Sequence, residues 1–221
     1  MEYNKLIDHT YLKPEARQKD IDKLIEEAIE WKFKTICVNS SWVAYAASKL
    51  KNSEVGITSV IGFPLGAMIT QAKAQEAKLA IDHGASEIDM VINIGKLKDK
   101  EFEYVLNDIK SVKKAIGNHV LKVIIETALL TQHEIIEATE IVLKSGAEFV
   151  KTSTGFSFRG ATLDDVKTMK KVVGNKIQIK AAGGVKTHED LVQMVEAGAS
   201  RIGTSSGVKL MKKEETNKND Y

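Results

Sequence analysis

Apolar residues recur along this chain in two alternating rhythms. Ile21, Leu24, Ile25, Ala28 and Ile29 fall three and four apart, the spacing that gathers side chains on one face of a helix, and Phe102, Val105, Leu106 and Ile109 repeat it further on. Between such segments lie short apolar runs of strand length. They predict eight strands: Leu6 to Thr10, Lys34 to Asn39, Gly56 to Ile61, Glu87 to Ile92, Leu121 to Glu126, Phe149 to Thr152, Ile177 to Ala181 and Arg201 to Gly203. Three of them follow the same pair: Gly84-Ala85, Gly146-Ala147 and Gly198-Ala199. Glycine after an amphipathic run ends a helix in the left-handed conformation, so each match reads as helix, glycine, short loop, strand. Helix starts recur as regularly. Thr131 with Glu134, Thr162 with Asp165 and Thr187 with Asp190 have the spacing of N-capping boxes.

Strands that alternate with helices favour a parallel sheet, and eight such units in one modest domain favour closure into a (β/α)8 TIM barrel. The alternative is a doubly wound open sheet, but the glycine fingerprint that opens a dinucleotide fold is missing after the early strands. The barrel is expected to span residues 1–211 as a single domain. Residues 212–221 form a polar tail with the composition of a disordered end.

Composition narrows the function classes. A chain of 221 residues that is 43% hydrophobic suits one core, and a net charge of +2 with lysines spread along the chain argues against nucleic acid and membrane surfaces as partners. No apolar run reaches signal-peptide or transmembrane length, which fits a cytoplasmic protein. Cys37 is the only cysteine, so neither an internal disulfide nor a cysteine-rich metal cluster is expected. No metal or cofactor is called for.

Both faces of a barrel strand are buried, so period-two alternation assigns residues to faces. Ile88, Met90 and Ile92 share one face and leave Asp89 on the other. Leu121, Val123 and Ile125 leave Lys122, Ile124 and Glu126; Ile177 and Ile179 leave Gln178 and Lys180. By elimination the polar set points into the barrel, where a charge is normally paired, neutralised or used in chemistry. Lys151 lies at the end region of the sixth strand, one residue before Thr152. With 29 lysines in the chain, one at a strand end by itself reads as a side chain reaching for solvent. Lys180 changes this, because it too sits where a strand runs out, and barrel enzymes place reactive groups at strand C-termini. Two ammonium groups brought together disfavour each other's charge, which lowers a lysine towards the neutral amine that attacks carbonyls. Asp89 fits two roles equally well, a proton relay or a plain salt bridge.

Gly183-Gly184 after the seventh strand and Gly203-Thr204-Ser205-Ser206-Gly207 after the eighth offer backbone N–H groups and hydroxyls where barrels commonly hold phosphate. A lone Gly-Gly would be a tight turn; two such loops on adjacent strands point to an anion, and Gly155 extends the same rim.

At these residues the sequence resembles deoxyribose-phosphate aldolases. The likeness runs from Ile7-Asp8-His9-Thr10 and Leu12-Lys13-Pro14 through Cys37-Val38-Asn39, Val60-Ile61-Gly62-Phe63-Pro64-Leu65-Gly66, Glu87 to Asn93 and Lys122 to Thr127 to the last strand, nearly the whole chain. It implies reversible cleavage of 2-deoxy-D-ribose 5-phosphate to acetaldehyde and D-glyceraldehyde 3-phosphate without a metal. Lys151 then matches the Schiff-base lysine, Lys180 the second lysine that perturbs it and assists proton transfer, and Asp89 the acidic proton-transfer residue. Asp8 and Thr10 match the opening segment that lines the site. Gly155, Gly183, Gly184, Gly203, Ser205 and Ser206 match phosphate-loop positions. Some family members end in a tyrosine that helps move the enamine proton, and this chain ends in Tyr221. A homodimer is implied by the same likeness.

The chain departs from the family's pattern at two places. Ser40-Ser41 follows Asn39 where many relatives carry proline, a change expected to alter only a turn. Phe156 follows Gly155 where some relatives have lysine, which leaves Lys186 or Arg159 to neutralise a phosphate. Cys37 is expected to be a buried strand residue and His9 an ordinary hydrogen-bonded histidine. Three other readings compete: a Schiff-base aldolase with another donor, an isomerase, and a silent phosphosugar-binding barrel. The paired lysines speak against the last two.

Overall fold

The structure, a computed structural model, describes residues 2–214. Strands β1 (Ile7–Thr10), β2 (Thr35–Asn39), β3 (Gly56–Ile61), β4 (Glu87–Val91), β5 (Val120–Ile124), β6 (Phe149–Lys151), β7 (Gln178–Ala182) and β8 (Arg201–Thr204) pair in parallel and in sequence order, and β8 closes onto β1. Helices α1 (Gln18–Glu30), α2 (Val43–Leu50), α3 (Thr70–Asp82), α4 (Ile94–Lys98), α5 (Phe102–Ile116), α6 (Gln132–Ser145), α7 (Leu163–Val173), α8 (His188–Glu196) and α9 (Gly207–Lys212) alternate with the strands. This is the (β/α)8 TIM barrel that the alternation predicts.

Local chemistry sets the element ends. Thr131, Thr162 and Thr187 each accept the backbone N–H three residues on, and the carboxylates of Glu134, Asp165 and Asp190 return the bond, so α6, α7 and α8 start where the capping boxes predict. Gly146 caps α6 at φ 88°, while α3 and α8 close one residue short of Gly84 and Gly198, which carry the turn at φ 111° and 121°. The apolar faces of strands and helices meet in one continuous layer that includes Ile36, Ile88, Met90, Val123, Val150 and Ile202. Within that outer layer a buried ion pair, Lys73 Nζ to Asp108 Oδ2 at 2.6 Å, joins α3 to α5; the same ammonium donates to the Val91 carbonyl at the end of β4.

Several expectations shift. Leu6 belongs to a 3-10 turn (Tyr3–Leu6), so β1 starts at Ile7. Ile29 lies at the edge of the arc set by Ile21, Leu24, Ile25 and Ala28, and it is 45% exposed. The inward assignment fails at Glu126 and Gln178. β5 ends at Ile124, and Glu126 takes a left-handed backbone (φ 53°) that breaks the two-residue alternation; its carboxylate turns instead to the Thr154 N–H and hydroxyl. Gln178 opens β7 at the far rim of the barrel, exposed, where it accepts from the Ser200 hydroxyl. Among the described residues no helix is long and apolar enough to cross a membrane.

Candidate active site

The barrel interior holds a network of seven charged side chains from six strands. Asp8 comes from β1, Glu87 and Asp89 from β4, Lys122 from β5, Lys151 from β6, Lys180 from β7 and Arg201 from β8, all buried. Register places Asp89 beside Lys122, Lys151 beside Lys180, and Lys180 beside Arg201 on neighbouring strands. Asp89 Oδ2 accepts from Lys151 Nζ and Lys180 Nζ, both at 2.7 Å, and its Oδ1 accepts from Lys122 Nζ at 2.9 Å. Asp8 Oδ2 accepts from Lys180 at 2.5 Å, and its Oδ1 from Arg201 and the Thr35 hydroxyl, each at 2.8 Å. Glu87 pairs with Lys122 at 2.6 Å and with Arg201 at 2.8 Å.

Partners are shared unequally. Lys180 has two carboxylates at contact and Lys122 has Glu87, Asp89 and the Thr58 hydroxyl, whereas Lys151 has one oxygen that it divides with Lys180. Burial pushes Lys151 below the usual lysine range; Asp89 opposes that shift and Lys180 adds to it. Burial would lower Lys180 as well, but Asp8 and Asp89 outweigh it and hold Lys180 above its ordinary value. Burial likewise would raise Asp8 and Asp89, yet the surrounding lysines, with Arg201 at Asp8, drive both well below the carboxylate range. The two lysines are therefore unlike. Of the two, Lys180 is held as the cation and Lys151 is the one depressed towards the neutral amine. The sequence argument gave their mutual repulsion as the cause, but desolvation is the larger effect.

Gly155, Gly183, Gly184, Gly203, Ser205 and Ser206 line a common open cavity of about 600 Å³, together with Arg159, Gly160, Thr162 and Lys186. Gly183 and Gly184 have φ 69° and 76°, a left-handed pair that glycine adopts without strain. Gly160, which the sequence did not single out, is what lets this turn form. A Cβ there would lie 2.3 Å from the Gly183 carbonyl carbon and 2.6 Å from Gly184 N. Gly203 has a second use, since a Cβ on it would stand 3.0 Å from Lys180 Cε. Both cations expected to neutralise a phosphate, Arg159 and Lys186, line this cavity, and Arg159 is also bound to Asp165 at 2.6 Å and to the Thr127 carbonyl. Phe156 meets Phe63 edge to face at 5.3 Å between ring centres.

Thr10 is buried, donates to the Asp8 carbonyl, and lines the adjoining cavity with Ser205 and Ser206. His9 is buried too, bound to Glu27 at 2.7 Å and packed on Phe33, as an ordinary hydrogen-bonded histidine would be. Cys37 is buried in β2, and burial raises its thiol above the usual range. Tyr221 lies outside the described residues. Among them, no three His, Cys, Asp or Glu side chains gather as a metal site. Glu87 and Arg201 were the charges that the sequence reading left out of the interior. Counting back two residues from Asp89 and from Gly203 reaches them.

A closed barrel with lysines and carboxylates converging inside it, beside a small-residue cavity, is the make-up of a barrel aldolase. Residues 4–213 match the model of the DeoC/LacD family aldolases, and the chain belongs to that family. Within it the sequence groups with the deoxyribose-phosphate aldolases. It is 67% identical over 218 residues to the deoxyribose-phosphate aldolase of Mycoplasmopsis pulmonis, covering 99% of each chain, and 66% identical over 217 residues to that of Mycoplasmopsis synoviae, covering 97% of each. A solved deoxyribose phosphate aldolase from Aeropyrum pernix superposes with a TM-score of 0.87 at 30% identity, over 95% of this chain and 89% of that one.

Proposed function

We propose that the chain is a class I aldehyde-lyase that reversibly cleaves 2-deoxy-D-ribose 5-phosphate to acetaldehyde and D-glyceraldehyde 3-phosphate, with Lys151 as its Schiff-base nucleophile. The observation that carries the reading is the contrast between the two lysines on Asp89 Oδ2, one held charged by two carboxylates and the other depressed by burial with half a partner. A neutral amine is what attack on a carbonyl requires.

In this reading the Lys151 amine adds to C1 of the open-chain sugar and loses water to give an iminium. A base takes the C3 hydroxyl proton, the C2–C3 bond breaks, and its electron pair moves into the iminium. Glyceraldehyde 3-phosphate departs and an enamine stays on Lys151. Protonation at C2 and hydrolysis release acetaldehyde and restore the amine. Asp89 and Lys180 are assigned the proton transfers, being within hydrogen-bond reach of Lys151 or of its partner oxygen. Gly155, Gly183, Gly184, Gly203, Ser205 and Ser206 are assigned the phosphate, with Asp8 holding Lys180 and Thr10 shaping the adjoining wall. Tyr221 is assigned the enamine proton by family resemblance. A cytoplasmic homodimer is the working form in the same reading, and light scattering in solution tests the dimer.

Borohydride added with acetaldehyde is the deciding experiment. A reduced two-carbon adduct mapped to Lys151 supports the reading. No adduct under conditions where phosphosugar still binds favours a silent binding barrel, and a stronger adduct from another aldehyde favours an aldolase with a different donor.

A further inference from the structure

Beneath the lysines, Arg201 and Glu87 form a second layer that touches neither Lys151 nor the cavity beside it. The Arg201 guanidinium lies over the Phe149 ring, 5.3 Å from its centre, and bridges Asp8 Oδ1 on β1 to Glu87 Oε2 on β4, each at 2.8 Å. Glu87 in turn holds Lys122, which reaches up to Asp89 Oδ1. The layer therefore grips the far oxygens of both carboxylates whose near oxygens face the two catalytic-site lysines.

Charge counting gives this arrangement a purpose. Three carboxylates, Asp8, Glu87 and Asp89, face four basic groups, Lys122, Lys151, Lys180 and Arg201. A guanidinium does not give up its proton, Lys122 pairs with three carboxylates and Lys180 with two. A buried network is costly to leave out of balance. It balances when Lys151 alone is neutral.

We propose that Arg201 and Glu87 are positioning residues that set the proton count of the active site: the arginine's fixed charge uses up a carboxylate that would otherwise keep Lys151 protonated. The inference rests on Lys151 being the nucleophile. The groups facing Lys151 are Asp89 from β4, Lys180 from β7 and the Cys37 thiol from β2, with Asp8, Lys122, Glu87 and Arg201 acting through them.

The test is the acidic limb of the kcat/KM profile, which follows the neutral fraction of Lys151 in the free enzyme. Removing the positive charge with Arg201→Met should raise that limb by about one pH unit; removing the negative charge with Glu87→Gln should lower it by about as much. Arg201→Lys should leave it near the wild-type position. The double variant Glu87→Gln/Arg201→Met, whose charge count is restored, should bring it back. A merely structural pair would lower activity in both single variants without moving the limb in opposite directions. Equal limbs in all folded variants, or shifts of the same sign, overturn the proposal. If Arg201→Met does not fold, the nearly isosteric Glu87→Gln decides, and a limb that stays in place overturns it. Borohydride trapping with peptide mapping on the same samples separates the two levels. An adduct away from Lys151 defeats the nucleophile assignment; an adduct on Lys151 with unmoved limbs defeats only the proton-count role.

Discussion

Lys151 and Lys180 donate to the same atom, Asp89 Oδ2, each at 2.7 Å. One carboxylate oxygen cannot satisfy two ammonium groups as fully as it satisfies one, so the second lysine weakens the hold on the first. Lys180→Met should leave Asp89 Oδ2 to Lys151 alone, stabilise the protonated amine, and move the acidic limb of the rate profile upward. It should also cost about 10²- to 10⁴-fold in kcat/KM, the range of a lost proton-transfer group. Lys180→Arg should keep the limb near its place and still lose rate, because a guanidinium does not shuttle protons. Steady-state kinetics across pH separates the two effects. A Lys180→Met enzyme with unchanged kinetics would remove Lys180 from the site.

Gly203 is expected to act through Lys180. A methyl there would meet Lys180 Cε at 3.0 Å and Ala182 Cβ at 3.1 Å, so Gly203→Ala must displace the lysine stem. Overpacking of this kind costs about 1–3 kcal/mol. The expected outcome is a folded protein with kcat reduced at least about fivefold, the low end of that range in rate terms. Loss in KM alone would leave Gly203 with its phosphate role only.

The barrel and half of the charged interior were legible in the chain because alternation holds inside a strand. Asp89, Lys122 and Lys180 each have apolar neighbours on both sides in sequence, so the odd residue out is visible. Glu126 failed because its left-handed backbone lies past the end of β5, where period two no longer applies. Gln178 failed for the opposite reason, at the first residue of its strand, where the barrel floor meets water. Glu87 and Arg201 also open their strands, and each follows a serine, so neither stands out between two apolar neighbours. What sends them inward is three-dimensional: Asp8, Lys122 and the Phe149 ring wait inside. Gly160 left no mark because its partner turn is more than twenty residues away.

Acid should destabilise the protein through the same network. Asp8 and Asp89 are held below the ordinary aspartate value of 3.8, so at low pH the unfolded chain binds more protons than the folded one. Their stabilising contribution is complete above that value and drains away as pH falls through it towards the folded values. Urea midpoints should thus decline below about pH 4, and Asp89→Asn should flatten that decline while lowering stability at pH 7. A decline equally steep in Asp89→Asn would show that other carboxylates control it.

Tyr221, assigned by family resemblance, makes a separate prediction. Deleting it should slow exchange of the acetaldehyde methyl protons with deuterated water by about 10²-fold while the melting temperature and the Lys151 adduct stay as they are. Exchange at the wild-type rate would end the assignment.

Gly160 tests the phosphate cavity independently of the chemistry. The backbone at Gly160 packs against the Gly183–Gly184 turn so closely that a Cβ would fall 2.3 Å from Gly183 C, a distance no repacking of flexible atoms relieves, since both sides are main chain. Gly160→Ala must therefore part the two main-chain segments that line the cavity. If that cavity holds the phosphate, KM for the phosphorylated sugar should rise about tenfold or more, because each backbone donor to an anion contributes on the order of 1.5–3 kcal/mol. Trapping of acetaldehyde, which carries no phosphate, should proceed on Lys151 at its normal rate. An increase in KM accompanied by an equal loss in trapping would mean that the loops shape the lysine site, and an unchanged KM would move the phosphate to another part of the barrel mouth.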